Sequence, residues 1–319
     1  MTRNGILCEI NEMKTRLDPK RVEAEGVNFV SHAHSDHLPK SNGGTILSSH
    51  ETSEIANIRG FNMNKFVDSM ENFSLINSGQ ILGARGILFD DIFYTGDICT
   101  RNRGFLNGAK IPKCKTLITE CTFGLSEFVF PQLSEIKKKV NEIISDLFSK
   151  GKPVILLGYQ LGKAQTLSQI FGHWQPLYYH DSVKKMNDLH RKLGVSLKEE
   201  MGHSEAESLG FLDKKPWVMI APMMRSENFF IKHMKSKYNV VTIGFSGWAK
   251  SPRFQFRGYD YSIPLSDHCD FNELSNMVIE SGAEKVYTVH GFVEEFASHL
   301  VKMGIDAQPL RQDSLDDFL

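Results

Sequence analysis

Three imidazoles and a carboxylate stand within six residues, His32-Ala33-His34-Ser35-Asp36-His37, directly after the apolar run Val27-Asn28-Phe29-Val30. In an extended or turning segment His32 and His34 project to one side. Asp36 and His37 lie just beyond the turn, so one loop can serve two adjacent cations. Imidazole nitrogen and carboxylate oxygen suit zinc, and a second metal within about 4 Å lets water attack a phosphodiester while the leaving oxygen is also stabilised. Metal-assisted hydrolysis is therefore the first chemistry to consider. A polar loop that merely happens to be rich in histidine is the bland alternative, disfavoured because the cluster stands at the end of an apolar strand.

The same logic recurs along the chain. Ile92-Phe93-Tyr94-Thr95-Gly96-Asp97 runs an apolar strand into a glycine and a carboxylate, which makes Asp97 a candidate metal-bridging ligand; a helix cap or turn aspartate is the alternative. Thr116-Leu117-Ile118-Thr119 ends in Glu120, Ser262–Leu265 runs into Ser266-Asp267-His268-Cys269-Asp270, and Glu284–Val289 delivers His290. These placements predict one site built from the first and last thirds of the chain.

The elements that must position these residues are legible in outline. From Gly5 to about Asp91 short strands alternate with turns, and Ser49-His50-Glu51-Thr52-Ser53-Glu54 supplies a helix start. Leu133, Ile136, Val140, Ile143, Ile144, Leu147 and Phe148 fall at helical spacing between Pro131 and Gly151, predicting an amphipathic helix. Strands over 153–158, 217–221 and 240–244 alternating with helical stretches, the first over 161–171, predict a mostly parallel sheet. A helix over 272–281 and another over 293–303 complete the chain.

Composition sets bounds. With 319 residues, 41% hydrophobic and 24% charged, the chain is long enough to bury a large core or two. Its five cysteines show no Cys-x-x-Cys pairing, which favours a reducing compartment, and no run reads as a signal peptide or membrane span, so a cytoplasmic location is expected. A net charge of −1 gives no global support for nucleic-acid binding. Local basic candidates are Arg101, Arg103, Lys110, Lys113 and Lys115, then Arg253 and Arg257, each of which reads equally as a solvated surface charge. His50, His173, His180, His190, His203, His233 and His299 read as surface or capping residues.

At the motifs quoted above the chain resembles the metallo-β-lactamase superfamily and, within it, the β-CASP nucleases. Asp18, the run from His32 to His37 and Asp97 look like the shared metal-site motifs; Glu120, His268 and His290 look like the three that mark the β-CASP branch. The resemblance implies an αββα sandwich with an inserted α/β domain: 1–123 and 262–319 forming the metallo-β-lactamase domain, 124–261 the β-CASP domain. It implies that His32, His34 and Asp97 hold one zinc, and Asp36, His37, Asp97 and His290 the other. Asp18 would orient ligands from behind, and Asp36 is also expected to take part in catalysis. His268, held by Glu120, would stabilise or protonate the leaving oxygen. Gly158-Tyr-Gln-Leu-Gly-Lys-Ala-Gln165 and Gly244–Trp248 also look like family segments, and Lys163, Ser246, Gly247 and Ser266 are expected to contact substrate. Nucleic acid is the expected partner, and a homodimer is expected by the same likeness.

One position departs from the family pattern. Where the family reads Gly-His-x-x-Gly-Ser, this chain reads Gly79-Gln80-Ile81-Leu82-Gly83-Ala84, so the first zinc loses an imidazole and gains at best an amide oxygen. The expectation is one firmly bound zinc and a weaker second. Three functions follow. The leading one is a zinc-dependent nuclease, with exonuclease action expected because the chain ends soon after the His290 helix like the short prokaryotic members. It would act on RNA or single-stranded DNA in RNA processing or DNA repair. The second is a catalytically weakened or inactive nucleic-acid-binding protein, motivated by Gln80. The third, a small-molecule hydrolase, is disfavoured by an insert of roughly 140 residues.

Overall fold

Short apolar stretches interrupted by turns build the first part of the computed structural model, which describes residues 4–10, 13–251 and 258–311. Along the chain come β1 (Ile6–Ile10), β2 (Met13–Leu17), β3 (Arg21–Val22), β4 (Val27–Phe29), β5 (Ser41–Asn42), β6 (Ile46–Leu47), α1 (His50–Ile58) and β7 (Phe66–Val67). Strands β1, β2, β4, β6 and β7 lie in that order in one sheet, and β3 pairs with β5. Ser49 caps α1, its Oγ accepting from the Thr52 N–H at 3.1 Å, so the start signal acts through the expected orphan donor. Next come β8 (Ser74–Asn77), β9 (Arg85–Phe89), β10 (Ile92–Tyr94) and β11 (Thr116–Cys121).

The texture then changes. The predicted amphipathic helix is α2 (Leu133–Ser149), followed by β12 (Val154–Gly158), α3 (Lys163–Ile170), β13 (Leu177–Tyr179), α4 (Asp181–Lys192), α5 (His203–Ser208), β14 (Val218–Pro222), α6 (Phe229–Tyr238), β15 (Val241–Phe245) and β16 (Tyr261–Ile263). The sheet order is β13-β14-β12-β15-β16, with every pairing parallel. All five residues of β12 are buried, because helices cover both faces: Leu156 joins Val140, Ile144 and Leu167 in one core, while Ile155 and Leu157 join Trp217, Ile231 and Met234 in another.

The chain returns through α7 (Phe271–Ser281), β17 (Lys285–Gly291), α8 (Val293–Lys302) and β18 (Asp306–Pro309). Strand β17 pairs parallel with β11, giving a second sheet in the order β18-β17-β11-β10-β9-β8. Period-two alternation divides its side chains between two cores. Ile87, Phe89, Tyr94, Ile118 and Val289 face Leu17, Phe29 and Leu47 of the first sheet, while Phe93, Leu117 and Val286 face Leu274, Val278, Phe296 and Leu300 of α7 and α8. Each such side chain contributes about 1.5–3 kcal/mol on burial.

Two compact units result. One holds the described residues up to Asn102, Leu106–Glu127 and those from His268 onward; the other holds Arg103–Phe105 and the described residues of Phe128–Asp267. The expected boundary at 261/262 is displaced, because the strand read as reopening the first unit is β16, which bonds to β15 in register Ile243↔Tyr261 and Phe245↔Ile263. The chain therefore re-enters the first unit at His268. Among the described residues no helix is long and apolar enough to cross a membrane.

Candidate metal centre

Strand β4 ends at Phe29, and the following loop is pinned to its neighbours by Val30 N–H to Leu47 O (3.0 Å) and Arg85 N–H to Ser31 O (2.9 Å). The loop carries His32 into full burial, its Nε2 3.2 Å from Asp97 Oδ2 and 3.0 Å from His34 Nδ1. His37 Nε2 lies 3.5 Å from the other Asp97 oxygen, Oδ1, and 3.8 Å from Asp36 Oδ2. The His290 ring centroid is 5.4 Å from that of His37. Asp97 thus presents one oxygen to His32 and the other to His37, whereas Asp36 and His290 are near neighbours of His37 and do not join the group of donor atoms that converges on Asp97. Donor atoms of His32, His37 and Asp97 lie within 4.8 Å of one another, as do those of Asp97, Glu120 and His268, and either set could hold a metal ion.

Behind these groups Asp18 gathers four donors. Its Oδ1 accepts from Ser31 N–H, and its Oδ2 from Ser31 Oγ–H, His37 Nδ1–H and Tyr94 Oη–H, each at 2.7 Å. With Nδ1 donating to Asp18, Nε2 is the His37 nitrogen that could meet a metal ion, the kind of ring orientation that metal-site histidines use. Ser31 and Tyr94 do not stand out in the sequence. The available signal for Tyr94 is a polar-tipped ring in an apolar strand three residues before Asp97.

The electrostatics are those of a compact acid–imidazole cluster. Burial alone would raise the Asp97 carboxyl, but His37, His32 and His268 hold it well below the usual range. Asp18 is likewise lowered despite its burial, chiefly by His37. Burial would depress His37 too, yet Asp97 and Asp18 outweigh it and raise the imidazole to about 10, whereas burial and the neighbouring His32 push His34 down to about 3.

Glu120 is 1% exposed and spends its carboxylate on geometry. Its Oε1 accepts from His268 Nδ1–H at 2.7 Å and from Ile98 N–H at 3.0 Å, and its Oε2 from Thr122 N–H at 3.0 Å. With Nδ1 donating, His268 turns Nε2 toward Asp97, 4.0 Å from Oδ2. His290, an exposed residue, has a left-handed backbone (φ 55°) and precedes Gly291, whose absent Cβ would stand 2.3 Å from Cys121 O. Only glycine fits there, and the corner that presents His290 is conformationally costly, by about 1–3 kcal/mol.

Gln80 is fully buried at the departing position. Its Nε2 donates to Asp97 Oδ2 at 2.9 Å and lies 3.2 Å from His34 Nδ1, so the amide stands on the His32–His34 side of Asp97.

The residues expected to contact substrate lie in the other unit, and the structure buries them. Lys163, 1% exposed, donates to Leu265 O at 2.7 Å and pairs with Asp267 Oδ1 at 2.9 Å, which is an internal ion pair rather than a phosphate contact. Ser246 Oγ accepts from Trp248 N–H, and Gly247 and Ser266 are also buried. The basic stretch is divided as well: Arg103 pairs with Asp267 and Arg101 with Glu273, while Lys115 is exposed beside Asp91. Arg253 and Arg257 lie outside the described residues. His190, expected as a surface or capping residue, is a core residue whose Nδ1–H donates to Met186 O at 2.9 Å.

No family model matches the chain. It is 26% identical over 302 residues to a probable DNA ligase of Opitutus terrae, covering 90% of this chain and 29% of that protein. It is 23% identical over 286 residues to transcription termination factor FttA of Methanocaldococcus jannaschii, covering 68% and 44%. It is 26% identical over 278 residues to endoribonuclease YSH1 of Eremothecium gossypii, covering 69% and 36%. The chain therefore spans less than half the length of each of these relatives. A crystal structure of a protein of unknown function from Enterococcus faecalis shares the fold, with a TM-score of 0.58, 13% identity, and 89% of this chain and 79% of that one covered.

Proposed function

We propose that this chain, a member of the β-CASP branch of the metallo-β-lactamase superfamily, is a zinc-dependent nuclease acting on RNA or single-stranded DNA, with exonuclease action expected. One observation carries the reading. The buried Asp97 carboxylate is shared between imidazoles, with Oδ2 3.2 Å from His32 Nε2 and Oδ1 3.5 Å from His37 Nε2.

The donor set fits zinc, because imidazole nitrogen and carboxylate oxygen converge while Asp18 fixes a ligand tautomer from behind. His32, His34 and Asp97 would form one ligand set; His37, Asp36, Asp97 and His290 the other. Bound zinc supplies Lewis-acid polarisation of the phosphoryl oxygen and lowers the pKa of water. The remaining work belongs to side chains. Glu120 holds His268 with Nε2 directed to the reacting side, and a protonated His268 donates from Nε2 to the leaving oxygen while the Glu120 carboxylate stabilises the imidazolium. The relatives named as an endoribonuclease and a transcription termination factor support nucleic acid as the substrate, and the probable DNA ligase keeps DNA within the reading.

Digestion of end-labelled RNA and single-stranded DNA oligonucleotides with zinc tests the proposal. Shortening from one end by wild type and none by Asp97→Ala is the expected result, and intact RNA and DNA in every lane overturns it. A second reading, binding without cleavage, is favoured by the place of Gln80 between His34 and Asp97. It requires wild type to retain labelled oligonucleotide while leaving it whole.

A further inference from the structure

We propose that Arg101 and Glu273 form a positioning pair for His268, an inference that rests on the reading of His268 as the proton donor to the leaving oxygen. In the sequence Arg101 belongs to a basic stretch suited to phosphate. The structure gives it another task. Arg101 Nη2 donates to the main-chain carbonyl of His268 at 3.0 Å, and Arg101 Nε meets Glu273 Oε1 at 2.8 Å, with side chains only 20% and 19% exposed.

Glu273 is itself immobilised. It closes the capping box that starts α7: its Oε2 accepts from Asp270 N–H at 2.8 Å while Asp270 Oδ1 accepts from Glu273 N–H at 2.9 Å. One carboxylate oxygen is committed to the helix cap and the other to the guanidinium. Arg101 lies four residues after Asp97, in a loop joined to the His268 segment by Cys269 N–H to Ile98 O at 2.8 Å. The loop carrying Asp97 and the segment carrying His268 are therefore fastened twice, at Ile98 through the main chain and at Arg101 through the side chain.

Glu120 holds the ring of His268 at Nδ1 and Phe123 packs against it edge-on. The guanidinium holds the backbone from which that ring projects, through the residue's own carbonyl. Arginine suits the task because its planar fork can serve a carbonyl and a carboxylate together, which a lysine ammonium does less rigidly. Arg101 acts through His268 and Glu273 acts through Arg101.

The test uses the zinc-loaded full chain and two substrates. One is a dinucleotide, whose alkoxide leaving group needs a proton; the other is a p-nitrophenyl phosphodiester of thymidine, whose phenolate leaves without one. Arg101→Met is expected to lower kcat on the dinucleotide about tenfold with KM unchanged, and to change kcat on the p-nitrophenyl ester less than twofold. Glu273→Gln, which keeps an acceptor, should lose less, and Arg101→Lys should recover part of the rate. Zinc content should match wild type in all three. Equal losses on both substrates overturn the proposal, as does an unchanged Arg101→Met when His268→Ala separates the substrates. If His268→Ala itself fails to separate them, the fault lies in its reading as proton donor, and the pair falls with it. Should Arg101→Met not fold, the substrate split in Arg101→Lys and Glu273→Gln decides, and its absence overturns the pair.

Discussion

The amide nitrogen of Gln80 stands 2.9 Å from Asp97 Oδ2, on the side of the carboxylate where His32 and His34 converge. An amide donating there competes with a cation for the oxygen. Wild type is therefore expected to bind one zinc tightly and a second weakly. Gln80→His should bring the tightly bound count to two, measured by metal analysis and calorimetric titration. Two tightly held zincs in wild type would sink the expectation.

Tyr94→Phe deletes one of the three donors on Asp18 Oδ2 and leaves the buried ring in place. Loss of the group bonded to a metal ligand costs about 10–100-fold in affinity, and Tyr94 stands one step further back, bonded to Asp18. Zinc dissociation constants should rise by up to about tenfold with the circular dichroism spectrum unchanged. An unaltered constant would mean that Asp18 is held well enough by Ser31 and His37.

Glu120→Gln should cost more than its shape suggests. A glutamine amide can donate to His268 Nδ1, which moves the ring proton to Nε2 in the neutral form and withdraws the charge that stabilises the imidazolium. A fall in kcat of about 10²-fold or more on a dinucleotide is expected, with KM little changed. Steady-state kinetics on that substrate check it.

Asp267 sits between two buried cations, Lys163 at 2.9 Å and Arg103 at 2.5 Å, with all three side chains no more than 6% exposed. Asp267→Asn removes the carboxylate from both and should cost about 3–5 kcal/mol; Lys163→Met, which leaves Arg103 on Asp267, should cost less. All three tryptophans, Trp174, Trp217 and Trp248, lie in this unit, so their fluorescence in a denaturant titration reports it directly. Equal costs for the two variants would contradict the shared-carboxylate account.

His190 makes the same unit acid-sensitive. Burial pushes its imidazole down to about 4, against an ordinary value of 6.5. Above pH 6.5 both folded and unfolded forms are neutral; below it the unfolded chain gains a proton that the folded one refuses until about pH 4. Stability should fall across that window, by about 3 kcal/mol at most, and level off beneath it. His190→Met should flatten the tryptophan-detected midpoint between these pH values.

The strand ends that carry the candidate ligands were legible in the sequence, because they are marked by short-range spacing. The run from His32 to His37 and the strand-to-Asp97 step are local patterns, and so is the spacing that yields α2. Partnerships across the fold are not. Tyr94 reaches Asp18 over 76 positions and Arg101 reaches His268 over 167, and neither contact leaves a periodic trace. Lys163 misleads for the opposite reason. A lysine at a helix start reads as a phosphate ligand, whereas the carboxylate that claims it, Asp267, stands 104 residues away, which no local pattern records. The boundary near 262 failed because an apolar strand declares its type but not its neighbour, and β16 chose β15.

The parallel pairing of β11 with β17 carries a consequence for biosynthesis. When Glu120 has left the ribosome, the strand that will cover its edge is still about 165 residues from being made, and the whole inserted unit must emerge first. Until then the apolar rim of β11 has no partner from its own chain and is open to pairing with a stranger. Chains released between residues 128 and 285 should therefore be the ones that clump, and adding zinc should not rescue them, because His290 has yet to be added.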